Sequence, residues 1–133
     1  MVEISTDKNK LNAEMIHSFL TETYWAKGRT IEEVEKSVKN SLCFGVYLDN
    51  NQIGFARVLT DYVVFAYIMD VFILPEYRGN DYSKQLMKVI IEYSELQSCT
   101  TWMLKTSDAH GLYKQFGFTE LKHSEKLMER ILK

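Results

Sequence analysis

The stretch RGNDYS, residues 78–83, combines residue types that could bind an anion. It follows the apolar run VFILPEY and begins a segment with helical periodicity. A helix N-terminus offers unpaired backbone amides and the positive end of the helix dipole, and a glycine allows a ligand to approach the backbone closely. Arg78 adds a fixed positive charge beside them. An ordinary turn with an N-cap at Asn80 or Asp81 explains the same residues, so the stretch alone does not decide.

Three further side chains could transfer protons. Tyr113 and His110 lie on one short predicted helix, and His110, three positions earlier, falls only near the same face, which favours a surface position for it. Asp70 is a carboxylate inside an otherwise apolar strand, which is a costly place unless it is hydrogen bonded or faces a cleft. Asp70 is therefore a candidate general base or amine-binding group, and a buried structural hydrogen bond is the alternative.

Hydrophobic periodicity predicts the elements that position these residues. LNAEMIHSFL predicts an amphipathic helix, and TIEEVEKSVKN predicts a second one, with Thr30 as N-cap and Glu33 completing a capping box. LCFGVYLDNNQIGFARVL predicts a β-hairpin that turns at residues 49–51, and VVFAYIMDVFIL predicts a long strand of the kind found at a sheet centre. A helix from Ser83, the strand CTTWMLKT, the short helix DAHGLYKQF and a last strand GFTELK complete the chain.

These elements predict an α/β (α+β) fold in the order βααβββαβαβ. The early hairpins imply antiparallel pairing and the later strand–helix–strand order implies parallel pairing, so we expect a mixed central sheet of about six strands with flanking helices. The 133 residues are 46% hydrophobic and contain one proline, with no repeat or linker. A single domain over residues 1–133 is therefore expected.

Charge and cysteine content narrow the classes of partner and compartment. The net charge of −2 arises from 18 acidic and 16 basic residues scattered along the chain, so no basic face for nucleic acid is predicted. The sequence has no apolar span of membrane-crossing length, and no membrane partner is expected. Cys43 and Cys99 both lie in apolar segments, which favours a reducing cytoplasm.

Three stretches taken together closely resemble the GNAT superfamily of N-acetyltransferases: DVFILPEYRG, the helix that follows it, and LYKQFGF. The resemblance in element order covers nearly the whole chain, and it extends to a compact group of uncharacterised members. The family's pyrophosphate loop, Arg/Gln-x-x-Gly-x-Gly/Ala, is matched at Arg78, whereas Asp81 and Ser83 replace its small residues. The later motif, Tyr-x-x-x-Gly-Phe, is matched intact by Tyr113, Gly117 and Phe118.

The resemblance implies that acetyl-CoA lies in a V-shaped gap between the strand ending at Leu74 and the strand ending near Thr106. Main-chain bonds to the acetyl and pantetheine groups are expected from three residues of the first strand, Val71, Phe72 and Ile73. The pyrophosphate is expected to contact six consecutive residues, Arg78, Gly79, Asn80, Asp81, Tyr82 and Ser83. Asp108, where many relatives carry an asparagine, is expected to cap the last helix, and cofactor contact is its secondary role.

The implied reaction is direct acetyl transfer to an amine of a small molecule or peptide, without a metal. Tyr113 occupies the family's usual acid position, and the base is left open between Asp70, His110 and a water chain. For the acceptor, the loop TYWAKGR offers Tyr24 and Trp25 as an apolar wall or cation-binding face, and Arg29 as a ligand for a carboxylate. Packing of Trp25 between the helices and the sheet is the alternative.

Two questions stay open at this level. The carboxylate of Asp81 could occupy the anion's place among the amides, in which case the chain is a GNAT-like binding or regulatory module with weakened cofactor binding. The strand edge near the C-terminus could be covered by the final SEKLMERILK, by a second chain in a homodimer, or by nothing.

Overall fold

A five-stranded mixed sheet organises the chain, and the computed structural model describes residues 1–132. The strands β1 to β5 are Glu3–Ser5, Leu42–Leu48, Asn51–Thr60, Phe65–Ile73 and Thr101–Leu104, and they lie side by side in that order. Pairing is antiparallel from β1 to β4, and β5 runs parallel to β4. The helices α1 to α4 are Ala13–Leu20, Ile31–Lys39, Tyr82–Ile91 and His110–Lys114. The predicted fold class is confirmed.

Helices cover both faces of the sheet. On one face, α1 and α2 pack on side chains that include Phe55 and Phe72. On the other face, α3 packs through Leu86, Met87 and Ile90. Val89 of the same helix is exposed, so α3 buries only a narrow face against the sheet.

The capping box of α2 and the β2–β3 turn lie where the local sequence predicted them. The Thr30 hydroxyl accepts a hydrogen bond from the Glu33 N–H and the Glu33 side chain accepts one from the Thr30 N–H, which is the predicted capping box. The β2–β3 hairpin turns at Asp49 and Asn50, both with positive φ, and Asn51 already belongs to β3. The hairpin and the second helix are therefore confirmed.

The sheet has five strands rather than about six, because GFTELK does not form a strand. Gly117 takes φ +91° just after α4, and the Phe118 N–H donates to the Tyr113 carbonyl, which closes the helix end. Beyond it, residues 119–122 are all exposed, so no buried face fixes a pairing register. The observed order is βααβββαβα.

The long strand predicted for the sheet centre is β4, which lies inside the sheet next to its middle strand β3. Its side chains alternate between buried and half-buried positions from Phe65 onward. Among residues 1–132, no helix is both long and apolar enough to cross a membrane.

Candidate active site

A gap opens between β4 and β5 where their pairing ends. The two strands are paired from Phe65 and Thr101 to Ile68 and Leu104, and β4 then continues to Ile73 without a β5 partner. The Leu74 N–H donates to the Ile53 carbonyl on the β3 side. Because successive residues of a strand alternate in direction, the main-chain groups of Val71 and Ile73 point toward the gap and those of Phe72 toward β3.

A β-bulge in β4 gives the gap its shape. Phe55 is opposite Phe72 and Arg57 is opposite Met69, so β4 carries one extra residue between these pairs. Asp70 lies in the bulge with φ +55°, a left-handed conformation that aspartate tolerates better than most residues. The bulge separates the paired part of β4 from the part that borders the gap.

Asp70 is held by two arginines. Its Oδ2 accepts hydrogen bonds from Arg29 Nη1 at 2.7 Å and from Arg57 Nε at 2.9 Å. The Asp70 side chain is 1% exposed and that of Arg29 is 20% exposed. Asp70 Oδ1 is buried and has no hydrogen-bond partner in residues 1–132. The two guanidinium groups therefore bond to one oxygen of the carboxylate and leave the other able to accept a further hydrogen bond.

Arg57 is a member of this cluster that the sequence interpretation missed. Its Nη1 also donates to Ser41 Oγ at 3.1 Å, so the guanidinium is bonded on two sides. A signal was present, because Arg57 and Asp70 are charged residues of opposite sign in the two apolar strands of one hairpin. Buried charges in neighbouring strands are expected to pair.

The loop from Gly79 to the start of α3 presents a row of open amides. The N–H groups of residues 79–84 have no acceptor among residues 1–132, and the first bonded amide is that of Gln85, which donates to the Asp81 carbonyl. Gly79 and Asp81 both have positive φ, at +85° and +62°. A loop of this kind followed by a helix N-terminus has a geometry that can bind an anion.

Asp81 faces away from these amides. It makes no capping hydrogen bond, its side chain is 75% exposed, and its Oδ1 lies 3.9 Å from Lys84 Nζ. Asp81 stands at the position where the family loop has glycine, and its left-handed φ explains that preference. Arg78 is fixed beside the loop, since its Nε donates to the Ile73 carbonyl at 3.0 Å.

Tyr113 lies on α4, in the apolar cluster on the α3 face of the sheet. Its ring packs edge-on against Phe118 with centroids 6.1 Å apart. Its hydroxyl makes no hydrogen bond within residues 1–132, and the residue lines a cavity of about 790 Å³ beside β5. Burial raises the pKa of Tyr113 to about 12, and the negative charge of Asp108 adds to the effect. The phenol is therefore protonated at neutral pH and can donate.

Asp108 does not cap α4, contrary to the sequence interpretation. The N-cap is Ala109, which has no side-chain cap, and Thr106 Oγ1 accepts from the Ala109 N–H at 3.1 Å instead. Thr106 lies three residues before Ala109, and its hydroxyl can therefore accept from that nearby backbone N–H, as Ser and Thr side chains often do. Asp108 is exposed, and His110 is also exposed with its Nε2 2.8 Å from the Thr106 carbonyl.

The loop between α1 and α2 reaches across the gap. Tyr24 Oη and Ser107 Oγ share a hydrogen bond of 2.5 Å, which links this loop to the segment after β5. Tyr24 and Trp25 are both exposed and pack edge-on at 5.1 Å. Arg29 leaves the same loop toward Asp70. The structure thus brings the predicted acceptor residues to the gap but pairs Arg29 with Asp70, and Ser107 carried no signal in the sequence.

Comparison with known proteins agrees with this geometry. A model of the acetyltransferase (GNAT) family matches residues 8–118. The crystal structure of a GNAT-family protein from Xanthomonas campestris pv. campestris is 45% identical, with a TM-score of 0.97 over 99% of this chain and 94% of that one. A Clostridium acetobutylicum structure with acetyl-CoA is 15% identical, with a TM-score of 0.73 over 99% and 97% of the chains, and shares the fold.

A Gibberella zeae protein named as a candidate acetyltransferase is 27% identical in an alignment of 109 residues, and the match covers 67% of this chain and 62% of that protein. The chain thus spans less than two thirds of that relative's length. The family match itself extends from before α1 to Phe118 and includes the loop of open amides, the bulge and Tyr113. The chain therefore belongs to the acetyltransferase (GNAT) family.

Proposed function

We propose that this chain is an acetyl-CoA-dependent N-acetyltransferase that transfers the acetyl group directly to an amine of a small molecule or peptide. The observation that carries the proposal is the row of open amides at residues 79–84, which lies next to the part of β4 that has no β5 partner. Membership of the acetyltransferase (GNAT) family supports acetyl transfer in general. The neighbour from Clostridium acetobutylicum, which shares the fold, is a structure with acetyl-CoA.

The residues present fit such a donor. The amides of Gly79, Asn80, Asp81, Tyr82 and Ser83 would bind the pyrophosphate, with Arg78 as the adjacent charge. The main-chain groups of the β4 residues that face the gap would bind the pantetheine and acetyl groups, because a strand edge offers donors and acceptors without specific side chains. In this assignment the contribution of Phe72 is packing, since its main chain faces β3. Asp108 is exposed close to Tyr113, where a secondary donor contact is proposed.

Acetyl-CoA would supply a thioester whose carbonyl an amine attacks, with CoA leaving as a thiolate. Tyr113 is assigned to hydrogen bond the sulfur at that stage, because its hydroxyl is protonated and has no partner within residues 1–132. With a pKa of about 12, the phenol is a weaker acid than a thiol of pKa about 8.5. It is thus better suited to stabilising the thiolate by hydrogen bonding than to complete proton transfer.

Asp70 is assigned to the acceptor amine as a hydrogen-bond acceptor rather than as the base. Its Oδ1 lacks a partner among residues 1–132, whereas its Oδ2 already accepts hydrogen bonds from the two arginines. An amine N–H would complete its bonding, since a carboxylate oxygen left without a donor in a buried place is costly. Proton removal is then left to water or to His110, which is exposed beside Thr106.

The acceptor side is assigned to the loop between α1 and α2. Tyr24 and Trp25 offer exposed aromatic surface above the gap, and Arg29 has a partly exposed guanidinium next to Asp70. Aromatic faces suit the apolar part of an amine, and a guanidinium suits a carboxylate. We also propose that the protein works in a reducing cytoplasm, which the two buried and unpaired cysteines support.

Calorimetric titration of acetyl-CoA into the wild type tests the proposal first. We expect saturable binding well below millimolar concentrations. Arg78→Gln should weaken acetyl-CoA binding but leave binding of S-acetyl-pantetheine, which lacks the pyrophosphate, unchanged. A wild type that binds no acetyl-CoA up to millimolar concentrations would support the alternative of a regulatory module. A wild type that binds acetyl-CoA but releases no CoA with any amine of a broad panel would also support that alternative.

A further inference from the structure

The cluster around Asp70 contains more positive than negative charge. Arg29 and Arg57 both donate to Asp70 Oδ2, and among residues 1–132 neither guanidinium forms an ion pair with any other carboxylate. Two guanidinium groups thus share one carboxylate, and one positive charge is left without a counter-charge in a largely buried place. Such an arrangement is costly unless a further anion binds there.

Arg29 is the arginine that can bind this anion. Arg57 has a bond on each of its three nitrogens, to Asp70, to Ser41 Oγ at 3.1 Å and to Met69 Sδ at 3.5 Å. Arg29 makes only the bond of 2.7 Å from Nη1 to Asp70 within residues 1–132, so the edge formed by its Nε and Nη2 has no acceptor. Its side chain is 20% exposed. An open guanidinium edge matches a carboxylate, which accepts two parallel hydrogen bonds from it.

An apolar strip leads away from the cluster along the same face of the sheet. Residues directly opposite each other in paired strands point to one face, so Met69 lies on the face of Arg57. Two positions further along β4, Tyr67 lies on this face between Leu59 of β3 and Met103 of β5. The ring of Phe65 stacks on that of Tyr67 with centroids 6.4 Å apart. The name strip is used below for five residues: Leu59, Phe65, Tyr67, Met69 and Met103.

The strip lies outside both apolar cores of the described chain. The helices α1 and α2 cover this face at Phe55 and Phe72, but no strip residue packs in that core or in the core on the other face. Leu59 is exposed and the other four residues are half-buried. The strip is continuous with the cluster through the contact of Met69 with Arg57, and Tyr67 lines the cavity that contains Tyr113. It therefore offers apolar surface directly beside the proposed reaction site.

We propose that the acceptor is a free amino acid with a large apolar side chain. The inference rests on the proposed function and adds the chemical class of the amine. The amino group would bind Asp70 Oδ1, the carboxylate would bind the open edge of Arg29, and the side chain would lie on the strip. Because Arg29 and Asp70 are themselves in contact, the amine and the carboxylate of the acceptor must be close together, as they are in an amino acid.

The same charge balance disfavours two other classes of acceptor. A polyamine or a lysine side chain would bring further positive charge to a cluster that already has an excess of it. The N-terminal residue of a peptide has an amide where a free amino acid has its carboxylate, so it would leave Arg29 without a counter-charge. An excess of positive charge also favours the neutral form of a bound amine, which is the form that attacks the thioester.

A pair of matched substrates tests the carboxylate. With saturating acetyl-CoA, kcat/KM should be roughly 10- to 100-fold higher for L-phenylalanine than for L-phenylalaninamide, which is the range of a charge-assisted hydrogen bond. The comparison is made on the plateau of each pH profile, so that the different pKa values of the two amines do not enter. CoA release with other amines but no preference for the acid would overturn this inference and leave the proposed function in place. No CoA release with any amine would overturn both.

Arg29→Gln tests the assignment of the carboxylate to Arg29. The ratio of the two kcat/KM values should fall to near one, while calorimetry should give an unchanged acetyl-CoA affinity. Lys27→Gln removes a positive charge from an exposed position of the same loop and should keep the full ratio. If circular dichroism shows that Arg29→Gln is unfolded, Arg29→Lys keeps the charge beside Asp70 but loses the paired donors, and the ratio should fall several-fold. An undiminished ratio in the folded variant, or a weakened acetyl-CoA affinity, would overturn the assignment.

The choice of side chain is tested on the strip. In the wild type, kcat/KM should be at least about ten-fold higher for L-phenylalanine than for L-alanine or L-aspartate. Tyr67→Ala should reduce the ratio of L-phenylalanine to L-alanine several-fold. Val89→Ala, at an exposed position of α3 on the other face of the sheet, is the control and should leave the ratio unchanged. A wild type that prefers L-alanine or L-aspartate would overturn the proposal, and so would an unchanged ratio in Tyr67→Ala.

Discussion

Asp70 Oδ2 and Arg57 Nε lie 2.9 Å apart across the β3–β4 ladder, and both side chains are buried. Arg29 Nη1 approaches the same oxygen from the loop between α1 and α2. One carboxylate thus joins the bulge of β4, the neighbouring strand and the loop between α1 and α2. A buried ion pair is expensive to desolvate but even more expensive to break, so this cluster fixes the relative position of three segments.

Asp70→Asn is expected to lower the free energy of unfolding by about 3 kcal/mol. Asparagine keeps the shape of the side chain and tolerates the left-handed φ, but it leaves the buried Arg57 without a counter-charge. Urea denaturation followed by circular dichroism measures the change. Asp49→Asn is the matched control, because Asp49 also has positive φ but lies in an exposed turn. If Asp70→Asn lowers the free energy of unfolding no more than Asp49→Asn does, the cluster is not important for stability.

Asp81→Asn should tighten acetyl-CoA binding about two- to five-fold at low ionic strength. The substitution removes a negative charge from the N-terminus of α3 while keeping a residue that tolerates φ +62°. The gain should decrease as salt is added, because Asp81 is exposed and its charge is screened. Calorimetry at two salt concentrations measures it.

Glu92→Gln, at the far end of the same helix, is the control for overall charge and should leave the affinity unchanged. A weaker affinity for Asp81→Asn would mean that the carboxylate contributes to the site instead of opposing it.

The parts of the fold that the sequence predicted depend on neighbours in the chain. Thr30 and Glu33 are three residues apart, and Asp49 and Asn50 form a turn by their own conformational preferences. The strand predicted at GFTELK is absent because a strand depends on parts of the molecule that are distant in the chain. Its existence depended on a partner strand and a buried face, and neither is a property of those six residues.

The candidate site likewise has a part that the sequence predicted and a part that it did not. The loop after β4 was predictable because the glycine, the arginine and the helix start are contiguous in the sequence. The pairing of Arg29 with Asp70 joins residues 41 apart, and Tyr24 with Ser107 joins residues 83 apart. Those pairs depend on how the loops cross the sheet, so the sequence indicated Tyr24 and Arg29 as candidate residues but not their partners.

Asp61 is expected to make the protein less stable in acid. Its Oδ1 accepts from the N–H groups of Val63, Val64 and Phe65, and these bonds lower the pKa of Asp61. Because the carboxylate has a lower pKa in the folded state, its contribution to stability is present above the unfolded pKa of about 3.9 and is lost as the pH falls through the folded value. The titration of Asp61 followed by NMR should give a midpoint below the ordinary aspartate value.

Asp61→Asn should remove part of the loss of stability between about pH 5 and pH 2, since asparagine does not titrate. Urea denaturation at several pH values compares it with the wild type. Asp49→Asn serves as the control for loss of one exposed carboxylate in a turn. An acid dependence identical in the wild type and Asp61→Asn would show that other carboxylates determine it.

Tyr113→Phe should lower kcat by roughly 100-fold with little effect on stability or on acetyl-CoA affinity. The hydroxyl makes no hydrogen bond within residues 1–132, so its removal leaves the packing against Phe118 in place. Because the pKa of Tyr113 is raised to about 12, the phenol stays protonated through the alkaline range in which an ordinary tyrosine, with a pKa near 10, begins to ionise. The wild-type kcat should therefore not fall between pH 9 and about pH 10.5 through ionisation of Tyr113. In this range the pH profiles of the wild type and of Tyr113→Phe should have the same shape.

The measurement is CoA release under saturating acetyl-CoA, with the best amine found by the panel, as a function of pH. Tyr93→Phe is the matched control, because its hydroxyl bonds to the exposed Glu95 on the surface and its ring also packs in the core. Unchanged turnover in Tyr113→Phe would remove this residue from the reaction. A fall in the wild type with a midpoint near pH 10, absent from Tyr113→Phe, would keep Tyr113 in the reaction but contradict the raised pKa, since it would mean that solvent reaches the phenol more freely than the buried ring implies.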